Sequence, residues 1–337
     1  MKSQITSRSM GSRLLLNILS VLFAALMIGC APSADYRAAE GADGEPAAGA
    51  DYLPATYIGM QACLQCHEHA GEHYRQTMHG KAFELNPRGD VESQVCEACH
   101  GPGSLHAEET WDKNLIIGYT RYWGTPVEKQ NAQCLDCHQG GQRLHWSSST
   151  HDRNNVACSD CHNPMYDYSA TGALKKKSIA ETCYTCHPQQ RAEFRRRSHM
   201  PVPEGKMSCE DCHNPHGSTT QPLLKADSVN EVCYACHAEK RGPFLWEHAP
   251  VRERCTNCHM PHGSNHDKLL VTARPFLCQQ CHTHDRHPSS FYNPTNTAAA
   301  GLLAAGSPSS RLIGRSCQNC HTQIHGSNHP AGVRFQR

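Results

Sequence analysis

Hydrophobic positions gather first in a run of fifteen residues, 14–28, preceded by the basic residues Lys2, Arg8 and Arg13. As a helix this run is about 22 Å long, short of a bilayer core of roughly 30 Å, and its flanks are those of an export signal. Residues 31–55 (APSADYRAAEGADGEPAAGADYLPA) are rich in Ala, Gly, Asp and Glu and carry no apolar periodicity, which predicts a flexible tether. Stretched out it reaches about 80 Å, although its r.m.s. span is nearer 28 Å. The folded body is expected to begin at residue 57. Its glycines and prolines, 25 and 20 over the whole chain, predict short α-helices joined by loops, with little or no sheet.

Apolar residues make up 38% of the 337, too few for a conventional core in a chain this long. Something other than side chains must fill the interior. The formal charge of +1 gives no reason to expect a nucleic-acid partner. The signal ends in LMIGC, with Gly29 before Cys30, and resembles the lipobox of bacterial lipoproteins. On that reading residues 1–29 are removed and Cys30 is acylated as the mature N-terminus. The alternative is ordinary cleavage further on, with Cys30 discarded. Cys30 is also the one cysteine of 21 outside the repeated motif, which the anchor explains. Ala31 after it resembles the residue that sorts lipoproteins to the outer membrane.

The other twenty cysteines form ten C-x-x-C-H motifs. The first five are Cys63, Cys66 and His67; Cys96, Cys99 and His100; Cys134, Cys137 and His138; Cys158, Cys161 and His162; and Cys183, Cys186 and His187. The second five are Cys209, Cys212 and His213; Cys233, Cys236 and His237; Cys255, Cys258 and His259; Cys278, Cys281 and His282; and Cys317, Cys320 and His321. The spacing suits c-type haem, with two thioether bonds to the vinyl groups and the following imidazole as proximal iron ligand. Disulfide, redox or zinc roles for C-x-x-C do not require a histidine after the second cysteine. Histidine is 25 of 337 residues, so ten such histidines do not arise by chance. The mature 308 residues (337 less 29) then supply about 31 per haem, so the rings must lie close together.

Fifteen histidines remain after the ten proximal ones, enough for a second axial ligand on every iron. No C-x-x-C-K variant, used by some multihaem nitrite reductases, occurs. Three tandem units start at Cys158, Cys209 and Cys255, each with a histidine shortly upstream, His151, His199 and His248. Each first motif continues C-H-x-P and then places Met165, His216 or His262 three residues after the proximal histidine. That residue starts on the same face of its own porphyrin, so it is assigned to a neighbouring haem; the upstream histidine can approach from the opposite side. For the remaining motifs the candidate distal ligands are His79, His106, His287, His325 and His329. His69, His73, His145, His266 and His284 fit surface or propionate-contacting roles better. Met165 is either a distal ligand or a side chain packed against a porphyrin.

The stretches NEVCYACHAEKRGPFLWEHAPV (residues 230–251), PFLCQQCH and GRSCQNCHTQIHGSNHP resemble the decahaem cytochromes of the MtrA/DmsE type. The resemblance runs from residue 57 to the C-terminus. It implies an elongated multihaem cytochrome c with two pentahaem halves, residues 57–190 and 191–337, behind a tether at 30–56. It also implies a periplasmic electron-transfer protein without its own substrate site, receiving electrons from periplasmic or inner-membrane cytochromes. Its expected partners are an outer-membrane β-barrel porin and an outer-surface multihaem cytochrome or reductase. The expected function is to carry electrons across the outer membrane to an extracellular acceptor. The alternatives are a periplasmic shuttle to a reductase such as a dimethyl sulfoxide reductase, or a multihaem reductase. The lipobox departs from members with a simply cleaved signal and argues against free diffusion.

Losing three basic residues with the signal leaves 29 Lys+Arg against 31 Asp+Glu, and ten haems would add twenty propionates. The residues 175–177 (all Lys) and 195–197 (all Arg) flank the fifth motif and either neutralise propionates or form a solvated face. The lipobox yields the first testable outcome. Cys30→Ser is expected to release soluble cytochrome or block maturation. An intact-mass spectrum showing an unacylated N-terminus beyond residue 30 would defeat the anchor.

Overall fold

A computed structural model describes residues 54–282 and 317–336. The export signal, Cys30, most of the tether, His284 and His287 lie outside the described residues. By internal contact, residues 1–54 and 55–337 form separate units, and every motif belongs to the second. Among the described residues no helix is long and apolar enough to cross a membrane.

The expectation of short helices and loops holds. The longest described helix is Met60–Tyr74, with 15 residues, followed by Val127–Leu135 with 9 and Met78–Leu85 with 8. The other described helices are single turns or little more, and strand pairing among the described residues is confined to isolated bridges. The sequence supplies clear starts for such pieces. Ser178 and Ser228 cap the helices Ile179–Cys183 and Val229–Tyr234, each side chain accepting the N–H of the glutamate three residues on. Each capped turn runs directly into a C-x-x-C-H motif.

The motif is itself a helical turn. In nine of the ten the histidine N–H bonds to the carbonyl of the first cysteine at 2.9–3.1 Å, and in the first motif His67 sits at a kink in the helix Met60–Tyr74, with φ −115° and ψ 35°. Side chains at i, i+3 and i+4 share one helix face, so both thiols and the imidazole are presented to the same side. After three of the motifs the chain doubles back and pairs: His162 with Leu174, His213 with Leu224, and His259 with Leu270. Those three leucines are buried, one in each repeat. Elsewhere burial is sparse and local, as in the small cluster of Met60, Tyr74 and Val95.

Contacts between repeats are made by backbone. Ser198 and Ser264 exchange both of their N–H···O bonds, and so do Trp246 and Ser327. Such close approach needs glycine. Gly217 and Gly263 hold φ of +117° and +157°, and a Cβ there would sit about 2 Å from the carbonyl oxygens of His145 and Glu193.

Two buried asparagines tie a second motif to the next first one. Asn131 accepts the N–H of Cys158 at 2.8 Å, and Asn230 accepts that of Cys255 at 2.7 Å. Asn230 also donates to the carbonyls of Val251 and Arg252. Asn230→Ala leaves these buried groups unpaired, which costs about 1–3 kcal/mol for each uncompensated group. Ser228→Ala, by contrast, removes only a helix cap worth about 1 kcal/mol. Thermal unfolding is expected to show the larger fall in midpoint for Asn230→Ala; equal shifts would deny the asparagine its linking role.

Candidate haem sites

The thiols of successive motifs are neighbours, and the influence of one on the next alternates between first and second cysteines. Cys63 pairs with Cys96, Cys134 with Cys158, Cys183 with Cys209, Cys233 with Cys255, and Cys278 with Cys317. In each pair the ionisation of the first-named cysteine is shifted by burial and, less strongly, by the partner thiol, except for Cys134 and Cys183, where the partner leads. The second cysteines make the intervening links: Cys99 feels Cys137, Cys161 feels Cys186, Cys212 feels Cys236, and Cys258 feels Cys281. Together these nine links join all ten motifs in chain order without a gap. Within the tightest pairs, hydrogen bonding to the partner thiol pushes Cys134 and Cys183 up and pulls Cys158 and Cys209 down, Cys209 to about 7.

Seven imidazole pairs test whether the spaces beside these motifs fit a haem. Metal–imidazole bonds of about 2.0 Å, plus about 1.1 Å from each nitrogen to its ring centre, put two rings that share one iron about 6.2 Å apart. The motif histidines meet that spacing with residues far along the chain. His67 faces His106 at 6.4 Å, His138 faces His79 at 5.9 Å, and His187 faces His151 at 6.3 Å. His162 faces His216 at 6.0 Å, and His213 faces His262 at 6.2 Å. His282 faces His248 and His259 faces His325, both at 6.2 Å. The residues present fit haem with two axial imidazoles. All seven distal partners are among the ten expected from the sequence.

The other three sit differently. His199 presents Nε2 to Glu204 at 3.0 Å. Nδ1 of His329 accepts the N–H of Ala331, and its carbonyl accepts Trp246 Nε1. His287 lies outside the described residues. Of the less favoured histidines, His69 and His73 meet each other, with their Nε2 atoms 3.3 Å apart.

Charge and hydrogen bonding prepare the rings for a metal. Nδ1 of His100, His162, His213, His259 and His321 donates to a backbone carbonyl at 2.6–2.9 Å, which leaves Nε2 as the bare nitrogen. His151 does the same, to Pro215, whereas His199 donates from Nδ1 to Arg196 and holds its Nε2 against Glu204. Burial, and then the facing ring, hold His79 below the ordinary histidine range, and the same causes with Arg143 and His151 bring His216 to about 4. These rings are neutral near pH 7, the form that binds iron.

Sequence reasoning missed the carboxylates and amides around the rings. Glu193, 8% exposed, sets Oε2 3.3 Å from Nδ1 of His262, with its other oxygen bonded to Gln189. Glu97, 2% exposed, fills a variable position of the second motif and accepts N–H groups of Ile58, Gly59 and Gly103. One signal for the asparagines was available, since Asn131 and Asn230 each stand three residues before a first cysteine. Nothing comparable marks Glu193, which faces a ring 69 residues away.

The family model for a doubled CXXCH motif matches residues 151–192, 199–242 and 248–287. Its three matches begin on the upstream histidines of the three tandem units. Multiheme cytochrome MtrA of Shewanella baltica (strain OS185) is 42% identical over 281 residues, which is 83% of this chain and 81% of that protein.

A carboxylate on the remote nitrogen of an axial imidazole raises the basicity of the ligand and favours the ferric state. Glu193→Gln is therefore expected to move one component of the redox titration to more positive potential while the haem mass stays the same. An unshifted titration would show that the His262 contact has no electronic effect.

Proposed function

The chain belongs to the MtrA-type multihaem cytochromes, and on that premise we propose that it holds ten haems as one path and conducts electrons from the periplasm across the outer membrane to an extracellular acceptor system. It is an electron-transfer protein with covalently bound haem c, not an enzyme with a substrate site of its own. Bound haem supplies one-electron exchange between ferrous and ferric iron. The chain's residues do the rest. Paired thiols would fix each ring to the backbone, and the side chains facing one another across each site would close the iron to exogenous ligands. The Nδ1–carbonyl bonds keep each Nε2 aimed at the metal and hold its tautomer.

The observation that carries this reading is the proximity of thiols in successive motifs, alternating between first and second cysteines, which links every motif to the next in sequence order. A path of that kind has two ends and no branch. Such a layout suits conduction between a donor at one end and an acceptor at the other better than it suits catalysis at one centre. The proposed partners follow: periplasmic or inner-membrane cytochromes as donors, an outer-membrane β-barrel porin as the housing, and an outer-surface multihaem cytochrome or reductase as acceptor. Acylated Cys30 would hold the protein at the periplasmic side of the outer membrane. The two pentahaem halves, divided at residues 190 and 191, are proposed on the same footing.

The test is co-expression with the porin encoded beside it, followed by reconstitution into vesicles that enclose a ferric chelate. The expected result is co-purification with the barrel and reduction of the enclosed chelate by an external reductant. Cytochrome that stays separate from the barrel but reduces a soluble periplasmic reductase would replace the conduit with a shuttle. A high-spin ferric signal from a haem with an open iron position would overturn both.

A further inference from the structure

The even-numbered motifs follow one rule in space. Each passes the residue shortly after its own histidine backward to an earlier motif. His325, from the tenth motif, faces His259 of the eighth, and His262, from the eighth, faces His213 of the sixth. His216, from the sixth, faces His162 of the fourth, and His106, from the second, faces His67 of the first. The fourth motif alone breaks the series, because it offers Met165 where its sixth and eighth counterparts offer His216 and His262. By the same rule its recipient is the second motif, whose histidine is His100. Among the described ring pairs His100 meets Tyr119 and no imidazole at axial spacing. The missing donor and the missing acceptor coincide.

We propose that Met165 is the distal ligand of the haem carried by Cys96, Cys99 and His100, making it the one histidine–methionine site in the chain. Local geometry agrees. The N–H of Met165 bonds to Oδ1 of Asn163 at 3.1 Å, and the N–H of His216 bonds to Oδ1 of Asn214 at 3.2 Å, so the same turn presents both residues. The doubling-back also matches, with Asn163 N bonded to Ala173 O and Asn214 N to Leu223 O. Met165 is half-buried and packs on the cluster of Met60, Tyr74 and Val95, on which Cys96 also packs. Tyr74 of that cluster is pushed up by burial and then by the Cys99 and Cys96 thiols, which places the cluster beside this haem's attachment. Across the site, Nδ1 of His100 donates to Ile117 O at 2.7 Å, leaving Nε2 for the metal.

After Met165 the unit departs from its counterparts. His216 and His262 are each followed by glycine, but Met165 is followed by Tyr166, whose ring lies 4.6 Å from that of His73. His73 is therefore the rival ligand. Its Nε2 is engaged with His69, on the exposed side of the helix Met60–Tyr74. Thioether sulfur favours ferrous iron, so this haem becomes the most oxidising site in the chain, second from the N-terminal end. It acts as a place where an electron rests between its neighbours.

The inference rests on haem at the second motif and not on the route across the outer membrane. In oxidised, fully loaded protein, near-infrared magnetic circular dichroism is expected to show one haem with the sulfur-to-iron charge-transfer band beside bis-histidine bands. Met165→Leu is expected to abolish that band, and His73→Ala to leave it in place. Met165→His is expected to convert it to a bis-histidine band and move the most positive component of the redox titration negative. Haem mass is measured on every sample. Absence of the sulfur band in the fully loaded protein, its survival in Met165→Leu, or a second motif that carries no haem would each overturn the proposal. A porin that fails to bind would leave this result untouched.

Discussion

Two imidazoles that share one iron must stand about 6.2 Å apart on opposite faces of a ring, and almost everything in this chain follows from meeting that condition repeatedly. A sequence with 38% apolar residues cannot hold 34- to 66-residue loops in place by packing side chains against each other. The facing imidazole pairs bridge those loops instead: His248 to His282 at the short end, His259 to His325 at the long one. What little apolar burial exists supports the same end. Leu174, Leu224 and Leu270 anchor the doubling-back that gives Nδ1 of His162, His213 and His259 its carbonyl acceptor.

The motifs were legible in the sequence because each is a single helical turn, and i, i+3 and i+4 leave no choice about which side chains meet. Seven of the candidate distal histidines face a motif histidine, and His216 and His262 were legible as reaching a neighbouring motif because C-H-x-P recurs. Which neighbour they serve was not legible, and loop-closure entropy explains why. Closing a 66-residue loop rather than a 34-residue one costs only about 0.6 kcal/mol more, so sequence separation barely ranks the possible partners. The ranking comes from backbone approaches such as Ser198 to Ser264 and Gly263 to Glu193, made between residues that nothing in the one-dimensional pattern connects.

Buried carboxylates add a second layer that composition hides. The chain is close to neutral, with a formal charge of +1, yet Glu97 and Glu193 are placed at the second and sixth motifs with their carboxyl groups away from solvent. Glu97 is held by three backbone N–H groups, those of Ile58, Gly59 and Gly103. A fixed negative charge near an iron stabilises the ferric state. Single residues can thus grade potentials along a row of chemically similar haems, with Met165 acting in the opposite sense to a carboxylate.

Backward donation also determines how the row must end. The later even motifs each face the even motif before them, and the second faces the first, so the chain behaves like other repeat proteins, in which stability resides in the interface between neighbours and the terminal units are atypical. The tenth motif has no successor to give it a ligand by the same rule. Its loop is secured by other means: Ser327 pairs with Trp246, and Asn328 accepts the N–H of Leu245 at 2.7 Å. At the other end the first motif lies inside the 15-residue helix Met60–Tyr74, the longest described, and receives His106 as the rule requires. Both terminal motifs are therefore tied in by contacts of the protein itself. The proposed conduction from one end of the row to the other requires its terminal rings to be held as firmly as the rest, and regular repetition alone would leave the tenth motif without its second ligand.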